Sequence, residues 1–115
     1  MLSEIEKTMD IIRNSDVKLI ALFRIDGVPI IVKTIERTQR ILNSIYWLQR
    51  QIKDFLNQIF IGDLDDLKFK SGDLIIGIYP ISKTLALIVI TSDEISLYKL
   101  ESDIESICLK IRDMV

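Results

Sequence analysis

The chain has 115 residues and no histidine. That removes the side chain most used for acid–base work near neutral pH and as a metal ligand, so a Ser-His-Asp triad cannot be built. There is one cysteine, Cys108, which excludes an internal disulfide, a Cys-x-x-Cys redox pair and a cysteine-rich zinc site, and fits a reducing, intracellular setting. The four glycines, Gly27, Gly62, Gly72 and Gly77, are scattered. None opens a glycine-rich loop before a helix, so no phosphate cradle is expected. Basic excess is lacking too: the net charge is -2 and the pI about 5.1, which argues against a surface that tracks nucleic-acid phosphates. The start, Met1-Leu2-Ser3-Glu4-Ile5-Glu6, carries acid where a secretory signal carries base, and no apolar run follows, so a cytoplasmic protein is expected.

What the chain has instead is bulk: 23 Ile, 14 Leu, 5 Val and 4 Phe against two Ala. A chain of this size folds as one domain, residues 1–115, and buries only about two-thirds of the surface its unfolded form exposes. So many large apolar side chains strain one small core, and the surplus needs a place.

The stretch from Leu74 to Thr91 carries a single charge, Lys83, and approaches the length of a membrane span. Ser71-Gly72 before it and Pro80-Ile81-Ser82-Lys83 within it cut the run into two strands, Asp73–Tyr79 and Thr84–Thr91, apolar enough to be covered on both faces. No transmembrane segment is expected. Upstream, Ser3-Glu4-Ile5-Glu6 has the spacing of a capping box for a first helix carrying Ile5, Met9 and Ile12, ended by Asn14-Ser15-Asp16. Val17–Arg24 reads as a strand with Val17, Leu19, Ala21 and Phe23 on one face and Ile20 and Leu22 on the other. Asp26-Gly27 turns it into a hairpin partner, Val28–Lys33.

A long helix is expected from about Thr34 to Ile61, ended by Gly62. Ile41, Ile45, Leu48, Ile52, Phe55 and Ile59 form one stripe, Leu42, Tyr46, Leu56 and Phe60 a second row beside it, and Trp47 a third position. The apolar arc is wider than one sheet face needs. Either the second row covers the rim of its own sheet, or it meets a partner helix; the width favours the partner. After Gly62, Leu67-Lys68-Phe69-Lys70 alternates as a short edge strand guarded by lysines. Ser92-Asp93-Glu94 opens a last helix with Leu97, Leu100, Ile104, Ile107, Ile111 and Met114 on one stripe. The expected fold is α+β, a five-stranded antiparallel sheet with helices on its faces, in the order α-β-β-α-β-β-β-α.

Candidate chemistry is sparse. Asp63-Leu64-Asp65-Asp66 fails the calcium-loop pattern, since Leu67 and Lys68 stand where a third ligand and a glycine belong. Cys108 lacks a proton partner and reads as a buried thiol. Carboxylate pairs such as Glu101 with Glu105 fall on a solvated helix surface. No catalytic residue, metal site or cofactor is expected, and Arg37 and Arg40 are candidate partner contacts.

Taken together, the opening amphipathic helix, the strand Val17–Arg24 leading into Asp26-Gly27-Val28-Pro29-Ile30, the long helix, and the Gly72 turn before two aliphatic strands resemble the Roadblock family. These are the dynein-light-chain-like domains related in fold to longin and profilin domains. The likeness runs nearly end to end, although Thr91-Ser92-Asp93-Glu94 lacks the glycine often seen before the family's last helix. It implies a dimer, with a second copy or a paralogous chain, in which the long helices pack antiparallel and the following edge strands pair. The implied seam is Leu42, Tyr46, Trp47, Gln49, Lys53, Leu56 and Phe60 with Leu67, Lys68, Phe69 and Lys70. It also implies a non-enzymatic scaffold or regulator of a small Ras-like GTPase, possessing no active site of its own and no affinity for nucleic acid. The alternative it leaves open is a longin- or profilin-like adaptor for membrane-tethering or cytoskeletal partners.

Overall fold

The computed structural model describes residues 2–10, 12, 17–34 and 38–115. Nine elements follow one another among them: α1 (Leu2–Met9), β1 (Val17–Arg24), β2 (Pro29–Thr34), α2 (Gln39–Ile61), β3 (Leu67–Ser71), β4 (Leu74–Pro80), β5 (Leu85–Thr91), α3 (Glu94–Lys99) and α4 (Glu101–Met114). The strands form one antiparallel sheet in the order β2-β1-β5-β4-β3. The two strands without charged residues, β4 and β5, take central places and are buried almost throughout. The strand with two lysines, β3, takes an edge.

Helices cover both faces. On one, the α2 stripe from Ile41 to Ile59 packs on Leu19, Ala21, Phe23, Ile76 and Ile88. On the other, α1, α3 and α4 bury Ile5, Leu97, Ile104 and Ile107 against Ile20, Ile75 and Val89. Val17 belongs to this second face with Ile20 and Leu22, not to the Leu19 face as simple alternation predicts. The cause is an irregularity in the β1–β5 register between Val17 and Leu19, which carries Val17 across the sheet.

Three boundaries differ from the expected ones by more than one residue. Ser3 lies inside α1 instead of capping it, and the expected stop at Asn14-Ser15-Asp16 lies outside the described residues. Thr34 is not the start of the long helix; it ends β2, its hydroxyl donating to the Lys18 carbonyl at 3.1 Å. The helix starts after Thr38, which is extended and whose Oγ1 accepts from the Ile41 N–H at 3.3 Å. The expected single last helix is two. Leu100 closes α3 with its N–H shared between the carbonyls of Ser96 (3.3 Å) and Leu97 (3.1 Å), and its own carbonyl receives the Ile104 N–H at 2.8 Å. This tight turn separates the two helices, yet Leu97, Leu100, Ile104, Ile107 and Ile111 all stay buried on one stripe. Asp93 caps α3, its carboxylate accepting from the Ser96 N–H at 2.7 Å, and those hydrogen bonds hold it below the usual carboxylate range.

Gly62 ends α2 as expected, but the left-handed residue is the next one: Asp63 has φ 52° while Gly62 has φ -82°. The Leu64 N–H reaches back to Ile59 O at 2.8 Å and the Asp63 N–H to Phe60 O at 3.4 Å, the two reverse bonds of a Schellman cap. An L-residue in this conformation costs about 1–2 kcal/mol, less for aspartate than for most. Asp63→Gly is therefore expected to raise stability by about 0.5–1 kcal/mol, read as a higher denaturant midpoint at unchanged slope. A fall in the midpoint would mean that the Asp63 side chain contributes more than its backbone costs.

Candidate interaction surface

The sheet ends on one side in β3, which pairs only with β4 and presents its outer edge. Phe69 and Leu67 point to the α2 face, while Lys68 and Lys70 point to the face of α3 and α4, as their partners Ile76, Ile78, Gly77 and Ile75 require. Three rings tie this edge to the helix. Phe69 lies 4.6 Å from Phe55 and, edge-on, 6.0 Å from Trp47, and Trp47 lies 5.4 Å from Phe55. Such ring pairs contribute about 0.5–1.5 kcal/mol each beyond their buried area.

The two sides of α2 meet different neighbours. At about 100° per residue, Trp47 sits roughly 120° from the row Leu42, Tyr46, Gln49, Lys53 and Phe60. Trp47 is on the β3 side, where Arg40 also forms an ion pair with Asp73 of the β3–β4 turn. The other side faces the β1–β2 turn: a Cβ on Gly27, whose φ is +90°, would meet the Gln49 carbonyl oxygen at 2.2 Å. The expected seam thus divides between opposite flanks of one helix. Leu56 leaves it altogether. It is wholly enclosed in the chain's own core, covering the rim of its own sheet. Leu42, Tyr46 and Phe60 remain exposed, at 40%, 57% and 44%.

Lys68 is more than an edge guard. Its Nζ lies 2.7 Å from Glu101 of α4 and 3.3 Å from Asp66, and 6.0 Å from the centre of the Tyr79 ring. Partial burial works to lower its pKa, but the bond to Glu101 and the charge of Asp66 outweigh that and hold it above the usual lysine value. Tyr79 lies across Gly77, where a Cβ would meet its hydroxyl at 2.8 Å. That hydroxyl is buried without a hydrogen-bond partner, and burial, with Asp66 and Glu101 nearby, pushes its pKa up. Sequence reasoning missed this constellation; the one available signal was a glycine inside an apolar strand, which marks a close approach.

Arg40 is engaged with Asp73 in a solvated pair, and Arg37 lies outside the described residues. Burial pushes the Cys108 thiol up to about 11, with Arg112 opposing and Glu105 adding, the reverse of what a reactive thiolate needs. Among the described residues no group of three or more Cys, Asp or Glu side chains is placed to hold a metal ion. No helix among them is long and apolar enough to cross a membrane.

An α+β sandwich with one long helix on one face, three short ones on the other and an open β3 edge is the arrangement of a Roadblock domain. The family described as AF0774-like protein matches residues 2–105. The chain belongs to that family. Its fold is shared by solved structures along nearly the whole length. MglC from Myxococcus xanthus is 10% identical, with 99% of this chain and 98% of that one covered at a TM-score of 0.73. Myxococcus xanthus MglB is 9% identical, with 97% and 94% covered at 0.74. A Roadblock/LC7 domain from Streptomyces avermitilis is 12% identical, with 97% and 92% covered at 0.65. At such identities the likeness is one of fold. No curated protein matches the sequence.

Proposed function

We propose that this AF0774-like chain is a non-enzymatic, cytoplasmic interaction module that dimerises, with itself or a paralogous Roadblock chain, and binds, scaffolds or regulates a small Ras-like GTPase. The observation that carries the reading is the β3 edge, unpaired on its outer side and clamped to α2 by Trp47, Phe55 and Phe69. An open edge next to a rigid helix flank is self-complementary about a two-fold axis, so one patch suffices for an isologous dimer. The seam in this reading takes Leu67, Phe69, Lys70 and the Trp47 flank of α2. The row of Leu42, Tyr46 and Phe60 faces away from that edge and is assigned to the second partner. The resemblance to the Roadblock family, whose fold the chain shares with MglB and MglC, is what supports a GTPase as that partner. With Arg40 engaged by Asp73, the chain acts in this reading by positioning the GTPase's own loops and not through Arg40.

Light scattering is expected to give about twice the 13.3 kDa chain mass, and immobilised chain is expected to capture a small GTPase in at least one nucleotide state. Leu42→Asp with Tyr46→Asp should abolish capture and leave the mass doubled. A monomer at micromolar concentration would refute the dimer, and capture untouched by the pair of substitutions would refute the assignment of that row.

A further inference from the structure

Two cavities lie on the sheet face opposite α2. One, of about 530 Å³, is walled by β3 and α3 and is largely apolar, with Ile75, Ile95, Leu97 and Tyr98 in its lining. The other, of about 490 Å³, is walled by the α2–β3 loop, the end of β4 and α4, and holds Asp65, Asp66, Glu101 and Glu105 with Tyr79. Glu101 lines both. Its ion pair with Lys68 therefore stands between them, over the Tyr79 ring, as a strap across one groove.

The charges in the second cavity are unbalanced. Lys68 pairs with both Asp66 and Glu101 and so balances only one of their two charges, and Arg112 is turned to the carbonyl oxygens of Ile81 (2.7 Å) and Pro80 (3.5 Å). Asp65 and Glu105 have no ion pair among the described residues. A second observation points to a ligand at the same place. Tyr79 is 7% exposed, and its hydroxyl is the one buried side-chain oxygen or nitrogen among the described residues without a partner. Beside the acids, a donor waits for an acceptor. On the other side of the strap, Ile95 and Tyr98 are 68% and 75% exposed, apolar surface that α3 buries against nothing.

We infer that this groove seats a short amphipathic peptide segment of a partner, with its apolar residues on Ile95 and Tyr98 and its lysine or arginine on Asp65 and Glu105. Charge complementarity selects a basic peptide: the end that lacks counter-ions is acidic, and an acidic segment would meet uncompensated carboxylates. A backbone carbonyl of the segment accepts from the Tyr79 hydroxyl as the Lys68–Glu101 strap moves aside. The site lies across the sheet from α2, so it is independent of the row assigned above to the GTPase and stands or falls separately.

The test uses a fluorescein-labelled peptide of about ten residues, leucine-rich at one end and lysine-rich at the other, and the same peptide with glutamate for lysine, read by fluorescence anisotropy on the whole chain. The lysine peptide is expected to bind at least about 10-fold more tightly than the glutamate peptide. Asp65→Lys with Glu105→Lys should weaken it about 10-fold or more, while Glu4→Lys with Asp103→Lys, the same change of net charge on α1 and on the far side of α4, should alter it less than about twofold. Tyr79→Phe should weaken binding about threefold or more without lowering the melting temperature of the free chain, because it removes an unpartnered hydroxyl. Equal weakening by both lysine pairs would reduce the effect to general attraction for an acidic protein and overturn the inference. So would binding of neither peptide, binding indifferent to Tyr79→Phe, or a change in the chain's own mass on Asp65→Lys with Glu105→Lys, which would make a second copy the occupant.

Discussion

Gly27→Ala should cost at least about 3 kcal/mol of stability, a large fraction of what a domain of this size holds. Two effects add. Gly27 sits at φ +90°, a region in which a side chain costs about 1–2 kcal/mol. The added Cβ would also stand 2.2 Å from the Gln49 carbonyl oxygen, and a helix carbonyl cannot rotate away without breaking its own hydrogen bond. Either the turn lifts off α2 or the helix bends. The turn is otherwise well fixed: the Arg24 N–H donates to Val28 O at 3.0 Å, the Gly27 N–H to Arg24 O at 3.0 Å, and the Val28 N–H to the Asp26 carboxylate at 3.2 Å. Lifting it would uncover the rim that Ile25 helps close. The melting temperature should fall by about 10–20 °C. Gly72→Ala is the control, since Gly72 has φ +61° but a Cβ there would meet nothing within 4 Å, and it should cost only the backbone share, about 1–2 kcal/mol. The difference between the two reports the contact with Gln49. Equal losses would show that the turn does not need to abut the helix.

That contact also explains what can and cannot be read in the residues. Periodicity places β1 at Val17–Arg24 with both ends correct, and it shows an apolar arc on α2 too wide for one face. It does not say which neighbour lies on which flank. Leu56 and Leu42 look alike in the pattern, yet one is enclosed and the other 40% exposed, because at about 100° per residue Leu56 sits roughly 40° closer to the buried stripe. An irregularity in strand pairing has no signature in alternation, so alternation puts Val17 on the wrong face. The lysines of β3 are legible as edge residues, but the role of Lys68 depends on Glu101, which only the folded chain brings to 2.7 Å. Chemistry that depends on absent residue types, histidine above all, is the most legible feature, since no folding can supply it. Thr38 as a helix cap is open to reading from its residue type, but the apolar pattern extends the helix past it.

Phe69→Ala carries the other large expectation, on mass as well as stability. Its ring is the one member of the three-ring cluster that comes from the edge strand, 4.6 Å from Phe55 and 6.0 Å from Trp47. Phe69 is only partly buried, so truncation should cost about 2–4 kcal/mol within the chain, at or below the range for an enclosed phenylalanine. Phe55 is 6% exposed and its truncation should cost as much or more, about 3–5 kcal/mol. Their effects on association should differ. If β3 pairs with its mate across a two-fold axis, every change at the edge is made twice, and about 1–2 kcal/mol lost per copy weakens the dimer by roughly 30- to 700-fold. Phe69→Ala should then scatter light as a single chain of 13.3 kDa at concentrations where Phe55→Ala, although as unstable, still shows the doubled mass. Both are to be measured well below their unfolding midpoints, so that folded chains are compared. A Phe69→Ala chain that remains double would move the seam away from β3, and loss of the dimer in both variants would make association a consequence of core stability and not of the edge.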